Sequence, residues 1–180
     1  SEDPEQFMNG LCSTMNHAVC HYGKENKINS MGTTAAMLAF GKENVYSCNL
    51  GDSRIYQISS EGKLGQLSLD HVLGGGRFGK PPLTQYLGIP EESMGLEPTI
   101  VPQKAEIGTR YLICSDGITD MLSDGEIADI LTREISVSET VELLVERALI
   151  KGGRDNITVI LCELVEQEKS LFGKLLNYFL

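Results

Sequence analysis

The sequence predicts an α+β fold in which helices pack against antiparallel β-sheets, and three observations carry this prediction. An N-terminal stretch has helical periodicity, and a central stretch has short β-prone runs separated by turn residues. A C-terminal stretch has two capped helices followed by a last strand. Because strands and helices are segregated along the chain, antiparallel pairing is favoured. The 180 residues suffice for one domain with one sizeable core.

The composition excludes several classes of function. A formal net charge of −10 argues against nucleic acid or an anionic membrane as the main partner. It suits a cation-attracting site, although a solvated acidic surface is the commoner cause. The five cysteines include no CxxC pair and predict neither a disulfide framework nor a zinc knuckle. With no visible signal peptide or membrane-length apolar run, a reducing, cytoplasmic setting is expected.

Residues 3 to 22 predict the first helix. Asp3 is placed to cap it, Pro4 suits its first turn, and Gln6 completes a pattern that resembles a capping box. The residues expected on its buried face are Phe7, Leu11, Met15, Ala18 and Tyr22.

The central part predicts consecutive antiparallel hairpins. The β-prone runs are "TTAAMLAF", "NVYSCNL", "SRIYQIS" and "KLGQLSL", separated by turn-forming residues. Residues 70 to 82, with three successive glycines and two prolines, predict a flexible surface loop. The run "PTIVPQ" predicts an edge strand, because proline limits ladder pairing.

The C-terminal part predicts two helices and a strand. Ser123 with Glu126, and Ser136 with Glu139, each form a capping box ahead of apolar residues at helical spacing. "NITVILCEL" predicts the last strand of a domain spanning residues 1–165. Residues 166–180 form a weakly amphipathic tail, expected to pack on the domain or lead to an extension rather than to bind a membrane.

Two aspartates stand at strand ends that an antiparallel pair would bring together. Asp116 ends the strand-like "YLICSD", and Asp155 precedes the strand-like "NITVILCEL". Two adjacent carboxylates repel unless a cation or a shared proton relieves them. Oxygen ligands of this kind suit Mg²⁺ or Mn²⁺. From "SDG" alone, an ordinary turn or cap aspartate remains the more frequent case.

A third aspartate, Asp52, lies in "NLGDSRIYQI", in a predicted tight turn or bulge between two β-prone runs. It is a candidate for the same sheet edge, although "GD" between strands is usually turn chemistry. Arg54 is either its salt-bridge partner or an anion contact, and the salt bridge is the plainer alternative.

Six motifs in order resemble the metal-dependent protein phosphatases of the PP2C (PPM) family, with the bacterial serine/threonine phosphatases most similar. They are "MGTTAAMLAF", "NLGDSRIYQI", "LSLDH", "LTQYLG", "LICSDGITDMLSDGEI" and "GGRDNITVIL". The resemblance covers residues 5 to 164. It implies a β-sandwich of two antiparallel sheets flanked by helices, in an α-β-β-α arrangement.

The resemblance also implies an activity, cofactors and partners. Family members hydrolyse phosphoserine and phosphothreonine in proteins with a water activated between two Mg²⁺ or Mn²⁺ ions, so no side chain is the nucleophile. The implied partners are a phosphoprotein substrate and a cognate serine/threonine kinase.

Matching the motifs residue by residue assigns the site. Asp116 and Asp155 correspond to ligands of the first metal, and Asp52 to a ligand of a third metal that bacterial members can hold. Ser115, Gly117 and Asn156 are expected beside the site. The mobile flap of the family corresponds to residues 72 to 82, including Gly74, Gly75, Gly76 and Arg77.

The sequence departs from the family at its start. Neither the Arg…Asn-Glu-Asp motif nor the Asp-Gly-x-Gly-Gly motif occurs, although these supply the phosphate-binding arginine and the aspartate that bridges the two metals. The N-terminal strands of the sandwich are therefore expected to be missing, and the metal site to be at most partial. Exposed sheet edges would then favour self-association. The flap is glycine-rich and short, and Gln85 stands where many members have arginine.

Two functions stay open at this point. One is a phosphatase domain of a metal-dependent enzyme. The other is a non-catalytic PP2C-like module that binds or regulates a partner. The missing motifs favour the module if the gene begins at Ser1, whereas the retained Asp52, Asp116 and Asp155 favour the enzyme.

We predict that the 180-residue chain alone hydrolyses little p-nitrophenyl phosphate, because the bridging carboxylate is absent from its sequence. Release of p-nitrophenol in the presence of Mn²⁺ measures this. Robust Mn²⁺-dependent turnover that is lost in Asp116→Asn would show the prediction to be wrong.

Overall fold

The computed structural model describes residues 3–74, 80–90 and 92–166. Their helices and strands are α1 (Pro4–Glu25), β1 (Ala35–Phe40), β2 (Asn44–Leu50), β3 (Arg54–Ile58), β4 (Leu64–Gln66), β5 (Thr99–Lys104), β6 (Arg110–Cys114), α2 (Asp116–Thr119), α3 (Asp124–Leu131), α4 (Val137–Ile150) and β7 (Val159–Glu163).

Two antiparallel sheets form the centre of the molecule. The first has the strand order β1-β2-β5 and the second β4-β3-β6-β7. Helix α1 packs on the outer face of the first sheet, while α2, α3 and α4 pack on that of the second. The layers are therefore α-β-β-α, and the predicted α+β sandwich is confirmed.

Strand β6 shows how one apolar run serves two cores. Tyr111 and Ile113 point between the sheets, where they join a cluster with Val45. Leu112 and Cys114 point the other way, into the cluster beneath the helices. Because successive side chains of a strand alternate between faces, a run that is apolar throughout predicts a strand covered on both sides. Its end is therefore fixed firmly in space.

The predicted face of α1 is wrong by one position. Phe7, Leu11, Ala18 and Tyr22 are exposed and Met15 is only half-buried. The buried residues are Met8, Cys12, Asn16 and Gly23. The period was predicted correctly, but a shift of one residue turns a helix by about 100°. Asp3 caps the helix by accepting from the Glu5 N–H at 3.2 Å, and Gln6 makes no capping box.

Asn16 explains the rotation, because it is a polar residue that the fold requires inside. Its Nδ2 donates to the Ile89 carbonyl at 2.9 Å. Its Oδ1 accepts from the N–H groups of Gly88 and Ile89 at 2.7 and 3.1 Å. This amide thus satisfies three buried or partly buried backbone groups, at the end of "LTQYLG" and at the residue after it. A hydrophobicity pattern cannot predict such a buried polar anchor.

The hairpins β1–β2 and β3–β4 are confirmed, but β2 and β3 are not paired. The chain instead passes from one sheet to the other at residues 51–53. Gly51 has φ +99°, and a Cβ there would lie 2.4 Å from the Thr34 side chain. The glycine is therefore needed for both the turn and the close packing. The prediction of a third hairpin was wrong because a crossover between sheets uses the same turn residues as a hairpin.

The predicted ends of the last helices are confirmed. Ser123 and Ser136 each accept from the backbone N–H three residues on, while Glu126 and Glu139 reach back to the cap N–H. Strand β5 is an edge strand in the described part of its sheet, as its prolines predicted. No helix within the described ranges is both long and apolar enough to cross a membrane. The predicted tail lies almost entirely outside the described residues, which end at 166.

We expect Asn16→Ala to lower the free energy of unfolding by about 2–4 kcal/mol, because it removes three hydrogen bonds to backbone groups that are buried or partly buried. Chemical denaturation followed by circular dichroism measures this. Asn9→Ala is the matched control on the same helix, since the Asn9 side chain makes only an exposed bond to the Glu5 carbonyl. Equal effects of the two variants would contradict the assigned role of Asn16.

Candidate metal centre

The pairing of β6 with β7 places Asp116 beside Asp155. The strands are antiparallel, with Cys114 opposite Val159. The ladder continues past their ends, because the Ser115 N–H donates to the Thr158 carbonyl at 3.0 Å. The Thr158 N–H in turn donates to Ser115 Oγ at 3.0 Å. The exit of one strand therefore lies against the entry of the other, as the sequence predicted.

Gly117 allows the two segments to touch. A Cβ at this position would lie 2.3 Å from the Asn156 carbonyl oxygen, so any other residue would push the Asp155 segment away. Ser115 Oγ also donates to that carbonyl at 3.2 Å. The Asn156 N–H donates to Asp155 Oδ1 at 2.8 Å, which fixes the orientation of the carboxylate. Ser115, Gly117 and Asn156 thus lie beside the two aspartates.

Asp116 begins a single helical turn rather than a simple Asp-Gly turn. Helix α2 starts at Asp116 after the N-cap Ser115, and the Asp120 N–H donates to the Asp116 carbonyl at 2.8 Å. Side chains four residues apart share one face of a helix, so Asp120 joins Asp116. Sequence reasoning missed Asp120. Its signal was the i, i+4 spacing in "SDGITD", which becomes visible only once the segment is taken as helical.

Three carboxylates converge on the ammonium group of Lys80. Its Nζ contacts Asp116 Oδ2, lies 2.8 Å from Asp155 Oδ2 and lies 3.1 Å from Asp120 Oδ2. The pKa of the Lys80 ammonium is raised, mainly by its hydrogen bond to Asp116 and next by that to Asp155. Lys80 lowers the pKa of Asp155, with help from the Asn156 N–H. All four side chains are partly exposed, at 28–49% of their area, so ions from solvent can reach them.

The donor set fits a hard divalent cation. Asp116, Asp120 and Asp155 offer only oxygen, which suits Mg²⁺ or Mn²⁺ rather than zinc. In the described part of the chain, no three His, Cys, Asp or Glu side chains already form a group that could hold an ion. The three carboxylates instead form ion pairs with the ammonium of Lys80.

Asp52 lies at the crossover between the sheets and close to the same charges. Burial raises its pKa, the charge of Asp116 raises it further, and Lys80 opposes this. The crossover is held by His71: its ring Nδ1 accepts from the Gly51 N–H at 3.2 Å, and its backbone N–H donates to the Gly51 carbonyl at 3.0 Å. The negative charge of Asp116 therefore acts on Asp52, which lies in a turn held by hydrogen bonds.

Arg54 is not the salt-bridge partner of Asp52. It binds Asp70 instead, with Nε 3.0 Å from both carboxylate oxygens and Nη2 2.7 Å from Oδ2. Its Nη1 donates to the Tyr56 hydroxyl at 2.9 Å. The predicted salt bridge between Asp52 and Arg54 was wrong because β3 directs Arg54 towards the "LSLDH" segment. This interaction ties that segment to β3.

The predicted flap is described only at its ends. Gly74 is exposed, whereas Gly75, Gly76 and Arg77 lie outside the described residues. Gln85, the departure noted in "LTQYLG", is buried. Its Nε2 donates to the Gly95 carbonyl at 3.2 Å, and its Oε1 accepts from the Glu97 N–H at 2.9 Å. Gln85 therefore braces a loop.

Comparison with known proteins gives a consistent result. A family described as protein phosphatase 2C matches residues 1–151. The serine/threonine phosphatase Stp of Listeria welshimeri is 32% identical over 175 residues, which cover 91% of this chain and 69% of that protein.

Solved structures agree. The serine/threonine phosphatase of S. agalactiae matches with a TM-score of 0.78 and 29% identity, covering 90% of this chain and 71% of that one. The catalytic domain of the serine/threonine phosphatase PstP, in complex with two manganese ions, matches with a TM-score of 0.71 and 30% identity, covering 84% and 67%. The chain therefore belongs to the protein phosphatase 2C family of serine/threonine protein phosphatases.

Proposed function

We propose that Asp116 and Asp155, with Asp120 beside them, bind the divalent cation at which this phosphatase hydrolyses phosphoserine and phosphothreonine in proteins. The observation that carries the proposal is the convergence of the three carboxylates on one positive atom, Lys80 Nζ. Mg²⁺ and Mn²⁺ both suit these donors. The related PstP structure contains two manganese ions, which supports metal dependence in the family.

The residues have different roles in this proposal. Asp116 and Asp155 hold the first metal, and their geometry comes from the β6–β7 ladder. Asp120 adds a carboxylate on the α2 side of the site, and Asp52, in the crossover turn, holds a third metal. A cation bound here lowers the pKa of water and offsets phosphoryl charge. Because the sequence has no Asp-Gly-x-Gly-Gly motif, these residues supply only part of a two-metal site.

The proposed partners follow from this chemistry. The substrate is a phosphoprotein, and a serine/threonine kinase of opposite activity supplies it. A cytoplasmic setting is proposed, supported by five free cysteines. The alternative of a non-catalytic module is less well supported, because the three carboxylates converge and the relatives described above are named as phosphatases.

We expect Asp116→Asn and Asp155→Asn each to weaken Mn²⁺ binding about tenfold or more, since the loss of one charged oxygen ligand costs about 1.4 kcal/mol or more. Titration calorimetry measures the affinity, and a Mn²⁺-dependent rise in melting temperature reports it independently. Asp129→Asn, on the exposed face of α3, is the control with the same change of charge. Unchanged affinity in both site variants would refute the proposed centre.

We further propose that the chain self-associates through the open edge of β1. This strand, "AAMLAF", has no charge or proline, and none of its residues is fully buried. It lies at the edge of the described part of its sheet, where unpaired backbone groups can accept a strand from a second copy. Phe40 at its end is 49% exposed and packs edge-on against Tyr111, with ring centroids 6.0 Å apart.

We expect Phe40→Lys to shift the chain from dimer towards monomer, because a lysine at the edge opposes strand pairing. Sedimentation velocity at several concentrations measures this. Ile107→Lys is the control, since Ile107 is a similarly exposed residue outside the strands. A wild-type chain that sediments as a monomer at all concentrations would contradict the proposal.

A further inference from the structure

Lys80 is held next to the acidic centre by its own backbone. It is followed by Pro81 and Pro82, which fix the backbone φ angle after it. The Pro82 carbonyl accepts from the Leu73 N–H at 2.9 Å, and the Thr84 N–H donates to the His71 carbonyl at 2.8 Å. Hydrogen bonds thus join the segment after Lys80 to the segment of His71. His71 in turn holds the crossover turn that contains Asp52.

The side chain of Lys80 has specific partners, the carboxylates around it. Among the described residues, it is the only basic side chain that forms a salt bridge with Asp116 or Asp155. Its Nζ lies within 3.1 Å of oxygens from all three carboxylates. A divalent cation has bonds of about 2.1 Å to such oxygens. The ammonium and the cation therefore cannot share the space between the aspartates.

We propose that Lys80 is an intramolecular competitor of the divalent cation, and that it sets the cation concentration at which the centre fills. The inference rests on the proposed metal centre and adds a regulatory element to it. Because the ammonium is tethered, its local concentration is fixed by the fold and does not depend on the solution. Because its ion pairs are partly exposed, each one is weak enough for a divalent ion to displace.

The test compares Mn²⁺ affinity in three chains: wild type, Lys80→Met and Lys104→Met. Lys104 is exposed on β5 and takes no part in the acidic centre, so its variant has the same change of net charge. The electron paramagnetic resonance signal of free Mn²⁺ gives the bound fraction. We expect Lys80→Met to bind Mn²⁺ about 5- to 30-fold more tightly, as removal of three weak ion pairs allows. Lys104→Met should change affinity less than about twofold.

A second measurement uses the unaltered chain. Acetylation of lysine amines, followed by mass spectrometry, should show Lys80 protected without metal and more reactive when Mg²⁺ is saturating, while Lys104 stays unchanged. Equal Mn²⁺ affinity in wild type and Lys80→Met, or Lys80 reactivity that does not change with Mg²⁺, would overturn the proposed competition but not the metal centre. If neither wild type nor Lys80→Met showed Mn²⁺ binding that requires Asp155, the proposed centre and this inference would both be overturned.

Discussion

The repulsion between carboxylates at one end of the second sheet is the constraint on which the rest of the structure depends. The backbone ladder between β6 and β7 leaves Asp116 and Asp155 no freedom to move apart, and helix α2 adds Asp120 to them. Such a group needs a cation or a shared proton among its oxygens to relieve the repulsion. The structure meets this requirement with the tethered ammonium of Lys80. The ion pairs of Lys80 thus offset the repulsion that the β6–β7 ladder imposes on these carboxylates.

Several motifs of the sequence share this task although they are far apart in the chain. Asn49 binds both backbone groups of Leu69, at 2.7 and 3.1 Å, and thereby joins β2 to the "LSLDH" segment. Arg54 joins Asp70 of that segment to β3. Burial lowers the pKa of His71, which favours the neutral ring whose Nδ1 can accept from the Gly51 N–H. These contacts fix the crossover turn that carries Asp52, near enough to Asp116 for the two charges to interact.

The features predicted correctly from sequence are those that depend on local chemistry or on strand direction. The capping boxes of Ser123 and Ser136 are local, and the meeting of Asp116 with Asp155 needs only an antiparallel pair. The features that were missed depend on tertiary partners. Asn16 rotates α1 because a distant loop needs its amide, and Arg54 chooses Asp70 because of the strand it belongs to. Lys80 could not be found, since a lysine before two prolines has no local signal.

In the proposed centre, Lys80 would also reconcile two opposing demands. Strong cation binding favours bare carboxylates, whereas folding without a cation favours carboxylates that are already neutralised. An ammonium that stabilises the empty centre must weaken cation binding by the same free energy, because the two cannot be bound at once. Its partial exposure keeps that free energy small. Because Lys80 is partly exposed, solvent screens its ion pairs, and in the proposed centre a divalent cation can displace it, as a metal-dependent phosphatase requires.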